Sequence, residues 1–362
     1  MKPPFRADQV GSLLRPLELR EARVRAKQGK ISAQELRTAE DRAIRDAVAR
    51  QEAVGLQSIT DGEFRRDWWH LDFLGRLEGL TMQENPGPKF QNTEEQPPIA
   101  GVTGKVRCAG PIMTEHFTFL RSVTTRTPKF TIPSPSMLHL RGGRKAISRD
   151  AYPDLDAFWA DVASAYRAAI AHLGKAGCNY LQLDDTSFAY LCDEKIQANC
   201  RANGDDPVKL PRTYAQTVNA ALQNRPAGMV VTMHTCRGNF KSTWVASGGY
   251  EPVAEAMFST DVDGFFMEFD NERAGTFEPL RLVPKGKKVV LGLVTTKQGA
   301  LEDKHTLKRR IDAAAKYVPL EDLCLSPQCG FSSTHHGNAL SDDEQWRKLE
   351  TIVEVANEVW KP

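Results

Sequence analysis

Short apolar runs that stop abruptly at polar residues recur along this chain, and longer stretches of helical character separate them. Eight such runs stand out, at residues 9–12, 58–63, 129–134, 180–185, 229–234, 264–268, 289–294 and 323–326. None alternates strictly between apolar and polar positions, which suits strands buried on both faces of a parallel sheet. Between them, residues 16–55 are rich in Ala, Leu, Glu and Arg with apolar positions at helical spacing. Residues 155–177 open on an acidic turn and close at Gly177, and residues 303–317 form a third helical stretch. A fourth, at 341–360, opens with the Ser341-Asp342-Asp343-Glu344 signature of a capping box. Eight strands alternating with helices predict an α/β fold, a (β/α)8 TIM barrel forming a single domain over residues 1–362. A doubly wound open sheet is the alternative, but no G-x-G-x-x-G follows the first strand. Residues 80–127, rich in Pro, Gly, Gln and Thr, fit no simple βα unit. They read as a long excursion after strand two, with strands at 105–108 and 117–120 and a β-hairpin lid as one form open to it.

Composition narrows the class. Hydrophobic residues make up 41% and charged residues 26%, and the formal charge is only +2, with basic and acidic residues interspersed. That is the balance of a soluble globular protein and leaves no basic patch for a nucleic acid. No apolar run approaches the roughly 20 residues that span a bilayer. The opening Met1-Lys2-Pro3-Pro4-Phe5-Arg6 leads into no apolar signal core, so a cytoplasmic location is expected. Seven cysteines scattered through the chain argue for reduced thiols rather than a disulfide frame. Five of them (Cys108, Cys178, Cys192, Cys200 and Cys324) read as small apolar fillers, whereas Cys236 and Cys329 do not.

In a barrel the active site lies at the C-terminal ends of the strands. There the sequence sets Ser12, Asp61, Glu63, Asp184, Asp185, His234, Cys236, Glu268 and Cys329. His234-Thr235-Cys236 puts two ligand-type side chains on one side of an extended segment, because alternate residues share a face. H-x-C alone is a weak motif. Joined by Glu268 and Cys329 from later strand ends, it becomes a set of one imidazole, one carboxylate and two thiolates, which suits tetrahedral Zn²⁺. Such a site is formally anionic, which favours activation of a bound thiol over generation of hydroxide.

These residues resemble the cobalamin-independent methionine synthase family, specifically its catalytic C-terminal barrel. The matching segments are Val10-Gly11-Ser12, Asp61-Gly62-Glu63-Phe64-Arg65-Arg66, Leu181-Gln182-Leu183-Asp184-Asp185, Met233-His234-Thr235-Cys236, Met267-Glu268 and Ser326-Pro327-Gln328-Cys329-Gly330. The resemblance implies zinc held by His234, Cys236, Glu268 and Cys329. It also implies an amino-acid substrate placed by Val10, Gly11 and Ser12, with its ammonium group taken by Glu63 and Asp184. The chain departs from the family pattern in three ways. The family's additional N-terminal barrel has no counterpart, Lys297 stands where a catalytic histidine is expected, and the D-E-P after strand five becomes Asp184-Asp185-Thr186.

Two further motifs are open to more than one reading. His335-His336 is either a solvated loop or a contact for an anionic or aromatic substrate. Trp68-Trp69-His70 either packs a barrel rim or stacks on a flat donor such as a pterin. The leading expectation is a zinc-dependent methyltransferase with catalytic Glu63, Asp184 and Lys297, moving a methyl group from a folate or corrinoid-type donor to a thiol such as homocysteine. Its partners are then small molecules, and whether it assembles as a homo-oligomer is left open. Alkyl transfer of the epoxyalkane:coenzyme M transferase kind and a non-catalytic zinc-binding barrel are the alternatives.

Overall fold

The computed structural model describes residues 2–85, 90 and 97–360. Six strands form one parallel sheet in the order β10-β9-β8-β7-β6-β5. To name them in chain order, the strands are β1 (Ser58–Ile59), β2 (Glu78–Gln83), β3 (Ile99–Arg107), β4 (Thr127–Pro128), β5 (Phe130–Pro133), β6 (Tyr180–Asp185), β7 (Val230–Thr235), β8 (Gly264–Glu268), β9 (Lys288–Val294) and β10 (Leu323–Pro327). The six sheet strands are buried along almost their whole length. This explains why they read as continuous apolar runs: both faces are covered. One face packs on the large core shared with the helices. On the other, Val10, Phe266, Val290 and Cys324 form a small separate apolar cluster.

The remaining pieces attach at both edges. Ala7 bridges Leu325 in parallel, with Asp8 N to Leu325 O at 3.0 Å and Leu325 N to Arg6 O at 2.8 Å. Ser12 bridges Gly62, β1 pairs in parallel with β4, and Lys129 N reaches Ile59 O at 2.8 Å where β4 runs on into β5. The expected first strand at 9–12 is therefore no continuous ladder. Side chains from elsewhere take its carbonyls: Thr60 Oγ1 donates to Gly11 O at 2.6 Å, Gln182 Nε2 to Val10 O at 2.7 Å, and Lys129 Nζ to Gln9 O. Beneath it a fully buried ion pair joins Lys129 and Asp8 at 3.3 Å. Asp8 also accepts from Ser58 Oγ at 2.7 Å and Tyr180 OH at 2.9 Å, so its lone pairs are well supplied.

Two expectations need correction. The stretch at 16–55 is two helices, Leu17–Lys27 and Ala33–Val54. Gly29 takes a left-handed φ of 69° between them, and Ser32 with Glu35 forms a capping box that starts the second. The expected strand at 117–120 lies in the helix Thr114–Val123, whose His116, Phe117 and Leu120 are buried at helical spacing. The excursion does contain an antiparallel hairpin, β2 against β3, while its residues 86–89 and 91–96 lie outside the described residues. The helices Leu155–Lys175, Lys304–Ala314 and Asp342–Val359 fall where expected, the last with its Ser341–Glu344 capping box formed. Among the described residues no helix is long and apolar enough to cross a membrane.

Candidate metal centre and substrate cleft

The parallel register sets the site. Asp184 on β6 stands beside His234 on β7, and Cys236 follows two residues later, its N–H bonded to Asp185 O at 2.7 Å. Glu268 ends β8, and Cys329 lies just past β10, where a shift in register at Ser326/Pro327 turns the chain inward. One ligand atom from each of His234, Cys236, Glu268 and Cys329 lies within 4.8 Å of the others, and all four residues are buried.

The electrostatics of this group suit a cation. Neither ring nitrogen of His234 has a hydrogen bond of standard geometry, although the ring is almost wholly buried. Burial opposes its charging, yet contact with Cys329 and the fields of Asp184 and Glu268 outweigh burial and raise its pKa. The two sulfurs are 3.5 Å apart. A hydrogen bond from the Cys236 thiol, aided by His234 against the cost of burial, holds Cys329 well below the ordinary thiol range. That same bond, then burial, pushes Cys236 well above it. One proton is in effect shared between two sulfurs. A buried imidazole with idle nitrogens, a carboxylate and two reduced cysteines is a nitrogen–sulfur–oxygen donor set that fits zinc.

Around the donors lies a supporting layer that sequence inspection missed. Arg273 Nη2 sits 3.3 Å from Glu268 Oε2, and Gln328 Nε2 is 3.3 Å from Oε1. Burial raises the Glu268 pKa, and Arg273 works against the rise. Lys297 is not on the cleft wall. Its ammonium group lies 3.3 Å from both Gly238 O and Asn239 Oδ1, and 3.4 Å from Thr243 O. Asn239 Nδ2 in turn donates to Gly330 O at 2.8 Å. Lys297 and Asn239 thus tie the loop after Cys236 to the loop after Cys329.

A cleft of about 550 Å³ opens over the sulfurs, and Val10, Ser12, Glu63 and Asp184 line it together with His234, Cys236 and Cys329. Gly11 stands behind this wall, where a Cβ would come within 2.8 Å of Thr131 Cγ2. Glu63 adopts a left-handed φ of 61°, which aims its carboxylate inward. Its Oε1 accepts from Thr131 Oγ1 at 2.9 Å, while Oε2 has no partner. Burial raises the Glu63 pKa, and Arg66 opposes the rise. Asp184 is pushed up to about 7, first by burial and also by Glu63, with His234 opposing. Two buried carboxylates with incomplete partners make a receptor for an ammonium group.

The outer wall is aromatic. Trp68 stacks over Phe240 at 6.2 Å between ring centroids, and His335 and His336 meet Trp68 edge-on at 5.6 and 5.8 Å. The His pair is therefore packed into the wall rather than free in a loop. His70 and Arg141 complete the lining. Arg141 went unnoticed because Leu140-Arg141-Gly142-Gly143 reads as an ordinary turn.

The chain matches the family described as cobalamin-independent synthase, catalytic domain, over residues 5–358. It is 46% identical to the uncharacterized protein YxjH of Bacillus subtilis (strain 168), covering 99% of this chain and 96% of that one. It is 25% identical to the methionine synthase of Saccharolobus solfataricus, covering 95% and 92%. Among solved structures, a Listeria monocytogenes protein described as a vitamin-B12 independent methionine synthase superposes with a TM-score of 0.81 at 40% identity, covering 100% of both chains.

Proposed function

The chain belongs to the cobalamin-independent synthase catalytic-domain family, and from that premise we propose that it is a zinc-dependent methyltransferase that methylates a thiol, with homocysteine as acceptor and methionine as product. One observation carries the reading: four ligand atoms within 4.8 Å of one another lie beneath a cleft that Glu63 and Asp184 also line. His234, Cys236, Glu268 and Cys329 hold the metal, and Arg273 and Gln328 orient the Glu268 carboxylate. Zinc bound there supplies acidification of a coordinated thiol, making its sulfur nucleophilic at neutral pH. Glu63 and Asp184 take the acceptor's ammonium group, and Val10, Gly11 and Ser12 set its backbone end. Lys297 acts through the loops it ties, and its positive charge favours the ionised forms of Cys236, Cys329 and Glu268. The methyl group passes from a folate or corrinoid-type donor to the sulfur, whose proton is released to solvent.

The reading extends to the fold and setting. The six-stranded sheet, the β1/β4 pair and the segment at 7–12 close an eight-membered (β/α)8 ring as one domain over 1–362, with the excursion at 80–127 outside it. The cytoplasm is the setting that reduced thiols require. Incubating zinc-loaded protein with homocysteine and, in turn, a methylated folate and a methylated corrinoid tests the activity. Methionine appearing by mass spectrometry with either donor supports the reading, and none with both refutes it.

A further inference from the structure

Arg141 follows the short 3-10 turn Pro135–Leu138 at the end of β5 and reaches into the cleft. Its Nη1 lies 3.2 Å from His70 Nε2, and among the described residues no carboxylate pairs with it. The bond fixes the imidazole: Nε2 accepts from the guanidinium, so the His70 proton sits on Nδ1. That nitrogen is buried and has no partner. Burial, and after it Arg141, keep His70 neutral. The pair therefore presents guanidinium N–H groups and an imidazole N–H with no acceptor among their neighbours except the Tyr190 hydroxyl, which Arg141 also reaches.

Position decides what acceptor they serve. A second cavity of about 370 Å³ adjoins the first, and Arg141 and Phe90 line both. Leu140, Tyr190, Asn199 and Cys200 line its far part, but none of the metal-site residues, Glu63 or Asp184 does. An acceptor held by those carboxylates leaves the second cavity unfilled. Its occupant belongs to the other substrate. An anionic group on that substrate is repelled by Glu63 and Asp184 and attracted to Arg141.

We propose that Arg141 and His70 form an oxyanion site that holds a carboxylate on the non-reacting end of the methyl donor, which lies across both cavities. Trp68, Phe90 and Phe240 cover its aromatic part. This rests on the methyltransferase reading above, and the test separates the two. The probe is p-aminobenzoylglutamate, an aromatic ring bearing carboxylates and no methyl group, titrated calorimetrically into zinc-loaded protein. The wild type binds it, and Arg141→Gln weakens binding about ten- to a hundredfold, as expected for loss of a charge-assisted hydrogen bond. Arg141→Lys, which keeps the charge but not the fork, falls between and controls for folding. Homocysteine affinity stays the same in both variants. No binding to the wild type, or equal binding to Arg141→Gln, overturns the site. So does a tenfold loss of homocysteine affinity, which would give Arg141 to the acceptor's carboxylate. Arg141-dependent binding of the probe without methyl transfer from any donor would uphold the site and remove only the methyltransferase reading.

Discussion

Cys236 Sγ and Cys329 Sγ lie 3.5 Å apart although 93 positions separate them in sequence. With one proton between them, the pair holds a ready nucleophile next to a second sulfur. In metal-free protein, mild oxidant should join them, since a thiolate beside a thiol is the arrangement that oxidises to a disulfide. Thiol titration should show two fewer free cysteines, restored by reductant, and zinc should prevent the loss. Equal oxidation with and without zinc would place the metal elsewhere.

Protein purified with zinc should carry about one ion per chain, with sulfur in its coordination shell by X-ray absorption. Cys236→Ser and Cys329→Ser should each lower metal content sharply. Arg273→Met should weaken zinc binding in chelator competition more mildly, because Glu268 loses an orienting partner but remains a ligand. Full occupancy in both serine variants would exclude the site.

Glu63→Gln and Asp184→Asn should keep zinc but weaken homocysteine binding about ten- to a hundredfold each. Both carboxylates line the cleft, and Glu63 Oε2 has no partner within the protein. A thiol lacking the amino group should bind both variants and the wild type alike. Unchanged homocysteine affinity in both variants would point to a different acceptor.

Asp184 also sets a pH dependence. Its pKa of about 7 means that acid protonates it within the accessible range and removes half of the ammonium receptor. Affinity for methionine, which has no thiol to ionise, should therefore fall as pH drops through about 7, and Asp184→Asn should flatten the profile. The stability effect has the opposite direction. The folded state keeps a proton that the unfolded chain releases near pH 4, so the stability from burying neutral Asp184 is full below about 4 and lost as pH rises through about 7. Asp184→Asn should accordingly raise the melting temperature more at about pH 8 than at about pH 5.

Lys129→Met should cost about 3–5 kcal/mol in denaturant unfolding, because it strands a fully buried Asp8 carboxylate. Adding Asp8→Asn should recover part of that loss. A single-variant cost below about 1 kcal/mol would mean that the hydroxyls of Ser58 and Tyr180 alone suffice for Asp8.

The sheet was legible in the sequence because strands covered on both faces carry unbroken apolar runs, as at Tyr180–Asp185 and Lys288–Val294. The donor set was legible for a related reason: His234 and Glu268 are ligand-type residues closing such runs, where nothing about packing calls for them. What escaped was whatever depends on contacts between distant segments. Phe117–Leu120 has a composition that serves strand or helix, and only its packing decides. Lys297 looked catalytic by position, yet its reach to Asn239 depends on a loop 58 residues away. Arg141 has no sequence signal at all, because its meaning comes from the His70 that faces it.

The segment bearing Ser12 is stitched down by Thr60, Gln182 and Lys129, which come from three separate parts of the chain. Its carbonyls have no partner until those parts have assembled, so local sequence cannot order it early. It is the last stitch of the fold and the first to slip, opening by local unfolding while the central strands stay shut. The amino-acid end of the cleft is thus held by the rest of the molecule rather than by itself, and damage to a strand far from the metal would be felt there before the sheet gave way.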